Sequence, residues 1–310
     1  MPTESQLDVV TGAFGYIGKR ITGMLLAKGR RVRTLTGHPR RNNPFGASVT
    51  VERYAFDDPP ALAKSLAGAR TLYNTYWIRY ERGQTTFARA VRNSRALLDA
   101  ARDAAVRRVV HISITKPEEG AEHRLPYFLG KLEVERAVVG SEPELSWAIV
   151  RPTVVFGEDD ILVNNIAWML RRFPVFAIPG DGSYEVRPVA VEDVARLAVE
   201  AGEADDKRIV DAVGPDAYSF EDMVKLIRTA VRSRSRLVHV PPEVALAMSR
   251  AIGPLVRDRV ITADELEGLR RELVVTEGEA TGETRFVDWL AEAGPGLGRR
   301  YHSEITRHYR

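Results

Sequence analysis

Apolar positions in the first half of the chain fall into short runs alternating with longer stretches of helical period, the rhythm of strands and crossover helices. Leu7 to Val10 is an apolar run, and Ile17, Ile21, Met24, Leu25 and Leu26 follow on one side of a predicted helix. Arg31 to Thr36, Val49 to Tyr54, Thr71 to Tyr76, Arg107 to Thr115 and Leu145 to Val150 read as further strands. Between them, Asp58 caps a predicted helix that has Pro59 in its first turn and runs through Leu66, and Gln84 to Ala105 forms a long amphipathic helix. Strand after strand joined by helices predicts an α/β fold with a doubly wound parallel sheet. In the second half, residues 158–172 read as a helix carrying Trp168, Met169 and Leu170, followed by F-P-V-F-A-I-P-G-D-G. Val191 to Gly202 is a helix, Ile209 to Val213 a short strand and Phe220 to Val231 another helix. Helices around 243–252 and 263–272 precede a tail, Thr284 to Arg310, with Phe286, Trp289 and Leu290 on a helix and a basic end.

Composition narrows the chemistry. The chain has 310 residues, 44% of them hydrophobic, enough for a sizeable core, and no cysteine. Disulfides, thiolate nucleophiles and cysteine-ligated metals are therefore excluded. No apolar run reaches the ~20 residues of a membrane span and no signal-peptide core opens the chain, so a cytoplasmic location is expected. Forty-five basic residues meet 42 acidic ones for a formal net charge of +3. The arginines are scattered among acids along helices, which argues against a nucleic-acid partner.

The first strand stops at Thr11-Gly12-Ala13-Phe14-Gly15-Tyr16-Ile17-Gly18, three glycines spaced G-x-x-G-x-x-G before a helix. Gly12 suits backbone angles closed to other residues, Gly15 admits a close approach to phosphates, and Gly18 lets the helix pack on the strand. The free N–H groups and positive dipole end of that helix would meet a dinucleotide pyrophosphate, contacted by Phe14, Tyr16 and Ile17. At the end of the second strand, where an acid usually selects NAD, stand Thr36 and Gly37, with Arg40 and Arg41 beyond. A 2′-phosphate would find a hydroxyl and two guanidiniums there, so NADP(H) is expected over NAD(H), although a solvated basic turn would read the same. Phe56 and Asp57 follow the third strand, Asp57 within reach of an adenine amino group although a turn aspartate needs no such role, and Thr75 and Tyr76 end the fourth beside the cofactor.

Pro126-Tyr127-Phe128-Leu129-Gly130-Lys131 opens another helical stretch, placing Tyr127 and Lys131 one turn apart on one face. A free phenol titrates near ~10 and is a poor base at neutral pH; an ammonium one turn away favours its phenolate. With hydroxyls at Ser113 and Thr115 shortly before, this is a proton-transfer set, whereas His111, inside its strand, reads as core.

These stretches, with V-V-H-I-S-I-T at 109–115, V-R-P-T-V-V-F-G at 150–157, P-V-A-V-E-D-V-A at 188–195 and V-G-P-D-A-Y-S-F-E-D-M-V at 213–224, resemble the short-chain dehydrogenase/reductase family in its extended and atypical branch. The second half is most similar to the atypical group that includes the nucleotide-binding accessory subunit of respiratory complex I. The resemblance implies Tyr127 as acid/base and Lys131 on the nicotinamide ribose. It implies a substrate-orienting hydroxyl at Thr115 or Ser113, and backbone from Pro152 through Val154 and Val155 at the carboxamide. Two departures stand out: Ala90 holds the place of a helix asparagine that aids the proton relay in many members, and the V-Y-G of nucleotide-sugar enzymes is missing.

The expected organisation is a Rossmann domain, 1–155, with sheet returns near 184–213, and a substrate lobe over 156–310. Tyr76, Phe156, Asn164 and Asn165 are candidate substrate contacts, and the aromatic, apolar content of 156–176 favours a small or lipophilic substrate. Arg171, Arg172 and Arg187, which could hold a diphosphate, are expected to face solvent or acids. The expected activity is NADP(H)-dependent hydride transfer to or from a carbonyl or alcohol, in a monomer or homodimer without membrane span. A catalytically silent NADP(H)-binding sensor or assembly subunit, and a nucleotide-sugar epimerase or dehydratase, stand as alternatives.

Overall fold

Residues 6–143 and 145–308 are described in the computed structural model. In chain order the elements begin β1 (Leu7–Thr11), α1 (Tyr16–Ala27), β2 (Arg31–Thr36), β3 (Val49–Arg53), α2 (Pro59–Leu66), β4 (Ala69–Asn74) and α3 (Phe87–Asp103). There follow β5 (Arg108–Ile112), α4 (Pro117–Glu122), α5 (Pro126–Val139), β6 (Ser146–Pro152), β7 (Val155–Phe156), α6 (Leu162–Arg172), β8 (Val175–Pro179), β9 (Glu185–Val186) and β10 (Val189–Ala190). The chain continues through α7 (Val191–Glu203), β11 (Arg208–Ala212), β12 (Tyr218–Ser219), α8 (Phe220–Ala230), β13 (Arg236–Val240), α9 (Pro242–Val256), α10 (Ala263–Arg270), α11 (Phe286–Ala293) and α12 (Glu304–His308). Tyr309 and Arg310, at the basic end of the tail, lie outside the described residues.

Two compact units result: Met1–Pro152 with Val194–Asp211, and Thr153–Asp193 with Ala212–Arg310. The first is built on a seven-stranded sheet in the order β11-β6-β5-β4-β1-β2-β3. Register is parallel from β3 through β6, with Val9 opposite Arg33 and Leu72, and Val110 opposite Tyr73 and Ala148. Because both faces are covered by helices, β1, β4 and β5 are buried along nearly their whole length instead of alternating in and out. Leu62, Leu66, Leu72, Leu97, Val109, Val134 and Ile149 share the core on one face. The sheet order reverses between β1 and β4, so the loops after these strands flank the crevice in which open α/β sheets bind ligands.

The second unit has its own core of Phe156, Ile166, Leu170, Ile178, Met223, Val224, Ile227, Phe286 and Leu290. Small sheets brace it: β7 on β10, β9 on β12, and β8 parallel to β13. Among the described residues no helix is long and apolar enough to cross a membrane.

The elements differ from the sequence expectation mainly at strand ends. β4 stops at Asn74 and β5 at Ile112, before the residues expected to carry chemistry. Thr75 turns its backbone N–H onto the Thr11 hydroxyl instead of a neighbouring strand, at 2.8 Å. The short helix α4, not anticipated, fills the segment between Thr115 and Tyr127, with Pro117 in its first turn.

Candidate active site

The glycine loop is shaped by contacts that a side chain would break. Gly12 has φ +67°, in the left-handed region, and its N–H donates to Leu35 O at 2.9 Å. A Cβ on Gly18 would lie 2.3 Å from Gly12 O, so only glycine lets α1 sit this close to the turn. Helix α1 starts at Gly15 with no side-chain cap and no acid in its first turn, leaving its positive end available to an anion. Thr34 Oγ1 accepts from Ala13 N at 3.0 Å and donates to Val10 O at 2.9 Å, while Thr75 Oγ1 donates to Thr11 O. Thr75 therefore braces the loop. Phe14, Tyr16 and Ile17 are half-buried on it.

At the end of β2, Thr36 Oγ1 accepts from the N–H of His38 at 3.1 Å, closing a small turn, and Arg40 is exposed beyond it with Arg41 half-buried. Phe56 stacks on Tyr54, with ring centroids 4.7 Å apart, and Tyr76 meets both rings at 5.3 Å. Asp57 is exposed beside this cluster in sequence. The Tyr76 hydroxyl accepts from Asn93 Nδ2 of α3 at 2.7 Å, which commits Tyr76 to the wall between β4 and α3.

The proton-transfer residues gather around a side chain the sequence reading passed over, Trp77. Its ring meets Tyr127 edge-on at 6.0 Å and an interplanar angle of 90°, and Phe87 meets Tyr127 likewise at 5.9 Å. Lys131 Nζ lies 4.8 Å from the Trp77 ring centroid and donates to Ile112 O, the end of β5, at 2.9 Å. Gly130 is what admits the indole, for a Cβ there would fall 2.8 Å from the Trp77 ring. Tyr127 and Lys131 thus share one face of α5, as their spacing predicts, with the indole against both. Lys131 is 3% exposed, and burial lowers its ammonium to about 7, partly opposed by the Glu135 carboxylate one turn on. Glu135 is itself held by Arg151, which also reaches Glu118 at 2.8 Å. That ion pair gives Arg151 of the Arg151-Pro152 pair a structural role.

Ser113 and Thr115 leave β5 alongside β6, their N–H groups bonded to Val150 O at 2.8 Å and Pro152 O at 3.4 Å. Both side chains are buried, and Ser113 Oγ, Thr115 Oγ1 and Trp77 Nε1 have no hydrogen-bond partner among the described residues. Buried polar atoms are normally satisfied, so three orphans beside Lys131 and Tyr127 in the fold call for a ligand. These atoms, the uncapped α1 and the Gly18 cradle fit a nicotinamide dinucleotide. His111 is fully buried, 3.3 Å from Asn74 through Nδ1, and burial, reinforced by Lys131, depresses its protonation; it is a neutral core residue, as expected. Asn74 and Trp77 were missed because nothing in a strand-end run of Y-N-T-Y-W separates wall from site, and Asn93 because it is one polar position among many on α3; Gly130 inside a helix was the available signal.

The second-unit candidates have partners of their own in the structure. Val154 is buried and its carbonyl accepts from Val189 N, while Val155 pairs Val189 in the β7–β10 ladder. Phe156 is fully buried against Phe286 and Trp289, both at 5.0 Å. Asn164 donates to Arg300 O and accepts from Gly298 N, and Asn165 exchanges two bonds with the His302 backbone. The two carboxamides hold the C-terminal segment. Arg171 donates to the carbonyls of Leu297, Gly294 and Pro295, and Arg187 to those of Thr276 and Gly278, so carbonyls, not acids, engage both. Among the described residues no cluster of His, Asp and Glu could hold a metal.

Residues 9–213 match the family model of the NAD dependent epimerase/dehydratase family. The chain belongs to that family. It is the extended short-chain dehydrogenase/reductase type, whose members are NAD(P)-dependent enzymes of oxidoreductase chemistry. It is 28% identical over 333 residues, covering 94% of this chain and 98% of the relative, to a 4-hydroxy-2-methyl-3-oxo-4-farnesyl-3,4-dihydroquinoline-1-oxide ketoreductase of Stigmatella aurantiaca. It is 27% identical over 240 residues to the chloroplastic divinyl chlorophyllide a 8-vinyl-reductase of Zea mays, spanning 69% of this chain but only 56% of that protein. Among solved structures, the NADPH-dependent quinone oxidoreductase QOR2 of Escherichia coli, complexed with NADPH, has the same fold with a TM-score of 0.73 at 16% identity, covering 94% and 99% of the two chains.

Proposed function

We propose that this chain is an NADP(H)-dependent oxidoreductase that transfers hydride to or from a carbonyl or alcohol of a small or lipophilic, ring-bearing substrate, with Tyr127 as its acid/base. The observation that carries the reading is Tyr127 and Lys131 packed against the Trp77 ring, with Lys131 bonded to the end of β5 and the hydroxyls of Ser113 and Thr115, which follow that strand, left unpartnered. When bound, the nicotinamide supplies or accepts the hydride. Gly12, Gly15 and Gly18 with Phe14, Tyr16 and Ile17 would hold the pyrophosphate, and Thr36, Arg40 and Arg41 the 2′-phosphate. Phe56, Asp57, Thr75 and Tyr76 would line the adenosine side, and the backbone from Pro152 through Val155 the carboxamide.

The chain's own part in the reaction is proton management. Tyr127 Oη gives a proton to the carbonyl oxygen in reduction and takes it back in oxidation, while Ser113 or Thr115 hydrogen-bonds that oxygen. Trp77 and Phe87 exclude water from this step and offer flat apolar surface to a ring. Lys131, desolvated but close to its own titration point, favours the phenolate and reaches for the ribose. By its name, the ketoreductase relative acts on a ring ketone that carries a farnesyl chain, which agrees with this aromatic, apolar surround.

In favour of the nucleotide-sugar reading, several solved structures that share the fold are of nucleotide-sugar enzymes or complexes; MoeE5, with UDP-glucose and NAD bound, has a TM-score of 0.65 at 22% identity. Against it, Arg171 and Arg187 spend their donors on backbone carbonyls. Turnover of NADPH with aldehydes, ketones and quinones tests the proposal. Tyr127→Phe is expected to keep cofactor binding and lose ~10²–10⁴-fold in turnover. Activity intact in that variant, or turnover of UDP-sugars alone, would overturn it. Cofactor choice is checked by titrating NADPH and NADH at one ionic strength. NADPH is expected to bind tighter by ~1.5–3 kcal/mol, an advantage that Arg40→Ala/Arg41→Ala removes.

A further inference from the structure

The second unit carries a surface cleft of about 780 Å³ where α6 and α8 end and β8 and β13 begin. Five arginines line it, Arg171, Arg172, Arg232, Arg234 and Arg236, and no carboxylate does. Arg171 is part of the wall, bonded to carbonyls of the 294–297 turn, and the Arg172 guanidinium lies 5.5 Å from the Trp168 ring centroid. Arg232, Arg234 and Arg236 are exposed and form no ion pair with any described residue. Elsewhere in this unit arginines find acids: Arg285 pairs Asp216 at 3.0 Å and Arg270 pairs Glu267 at 3.5 Å. In a chain with nearly balanced charge, a concentration of cations without counter-charge is a local excess.

Helix dipoles account for part of it. Arg171 and Arg172 close α6 and Arg232 follows the end of α8, where cations are favoured. Arg234 and Arg236 lie past the reach of that effect, in the connection to β13 and on its first residue. Ser235, between them and on the cleft lining, is 4% exposed, and its buried hydroxyl has no hydrogen-bond partner among the described residues. A buried hydroxyl without a partner, on a residue flanked by Arg234 and Arg236, has a donor to offer an oxyanion acceptor.

We propose that this cleft binds a phosphate-bearing ligand, held by Arg172, Arg232, Arg234 and Arg236 and by the Ser235 hydroxyl. Guanidinium forks match phosphate oxygens bidentately, and several of them suit a diphosphate or a doubly charged monoester better than a carboxylate. The shared chemistry admits two sources, a free phosphate compound or a lipid headgroup; Val175, exposed on the lining, tolerates the acyl shoulder of the second. The site lies wholly in the second unit and does not rest on the proposed oxidoreductase activity.

The test uses the full chain at low, fixed ionic strength. Pyrophosphate is titrated calorimetrically, and vesicles of phosphatidylcholine with and without phosphatidic acid are sedimented with the protein. Because pyrophosphate also suits the positive end of α1, the informative quantity is the difference between wild type and Arg234→Ala/Arg236→Ala, whose exposed side chains can be removed without touching either core. The expected result is at least a tenfold weaker affinity in the variant, with Arg234→Lys/Arg236→Lys in between. Arg232→Gln/Arg234→Gln serves as a second pair, each variant being compared by its unfolding curve. Pyrophosphate binding that falls in the variants supports the site with a free phosphate as source. Sedimentation only with phosphatidic acid, lost in the variants, supports it with a headgroup as source. Pyrophosphate and vesicle binding unchanged by both substitution pairs, or absent from wild type, overturns the proposal.

Discussion

At the scale of single residues, the site's unusual member is Lys131. A lysine that is buried against an indole and bonded to a strand carbonyl has exchanged hydration for one hydrogen bond and a ring face, and its ammonium falls to about 7. The consequence for stability has a definite sign. Between about 7 and the ordinary lysine value of 10.5 the unfolded chain keeps a proton at this position that the folded chain has released, so stability rises with pH across that window. Below it the full cost of burying the charge is present. Urea unfolding of the cofactor-free protein at the two ends of the window, compared with Lys131→Met, checks this. Wild type is expected to gain on the variant as pH rises; a constant difference would mean that the ammonium stays charged inside the fold. The pairing of Tyr127 with Lys131 was readable from an i, i+4 spacing, because helix geometry is local. Trp77 was not, because its role depends on Gly130, which lies 53 positions later and gives the indole room.

At the scale of elements, the glycine loop and α1 form one unit whose tolerance is measured in tenths of an ångström. A methyl at Gly18 would stand 2.3 Å from a backbone oxygen, which cannot swing away as a side chain could. Gly18→Ala is therefore expected to push α1 off the turn, costing ~1–3 kcal/mol of stability and about tenfold or more in dinucleotide affinity. Gly23→Ala, in the same helix with open space around it, should leave affinity unchanged and raise stability by about 0.5–1 kcal/mol, so it serves as the control. Thermal unfolding and NADPH titration of both variants decide the matter. This loop was legible because strand, glycine spacing and helix are all encoded within a dozen residues. The second unit's candidates, Asn164 and Asn165, were not: two polar residues on a helix look like pocket contacts until the chain returns 134 positions later to put Gly298 N on the Asn164 carbonyl oxygen. Sequence pattern reports which face of an element is polar and leaves open what arrives to meet it.

At the scale of the whole molecule, the sheet-bearing unit is not a contiguous stretch. Its sheet closes only with β11, and α7 contributes from Val194 onward. The returning segment is tied in by buried polar contacts as well as apolar ones. Arg108, 2% exposed at the start of β5, donates to Ala201 O at 2.6 Å and to Asp206 O at 2.7 Å. Thr71 reaches Gly202 O, and on the surface Lys28 pairs Glu203 at 3.0 Å. A Cβ on Gly202 would lie 2.1 Å from the Tyr73 hydroxyl, so α7 seats on β4 at a point that only glycine permits. A chain cut after Pro152 would keep every glycine-loop and Tyr127–Lys131 residue and yet lack this cover. It would leave Arg108 without its carbonyls, the sheet face under α7 uncovered and one edge of β6 unpaired, a combination that favours association over folding. The expected outcome is helical and strand signal in the far-ultraviolet spectrum without a cooperative unfolding transition. Arg108→Ala in the full chain should lose about 1–3 kcal/mol for each carbonyl left unsatisfied while the transition stays cooperative. A cut chain that unfolds cooperatively and binds NADPH as tightly as the full one would show that α7 and β11 are accessory, and that the first 152 residues carry the dinucleotide site on their own.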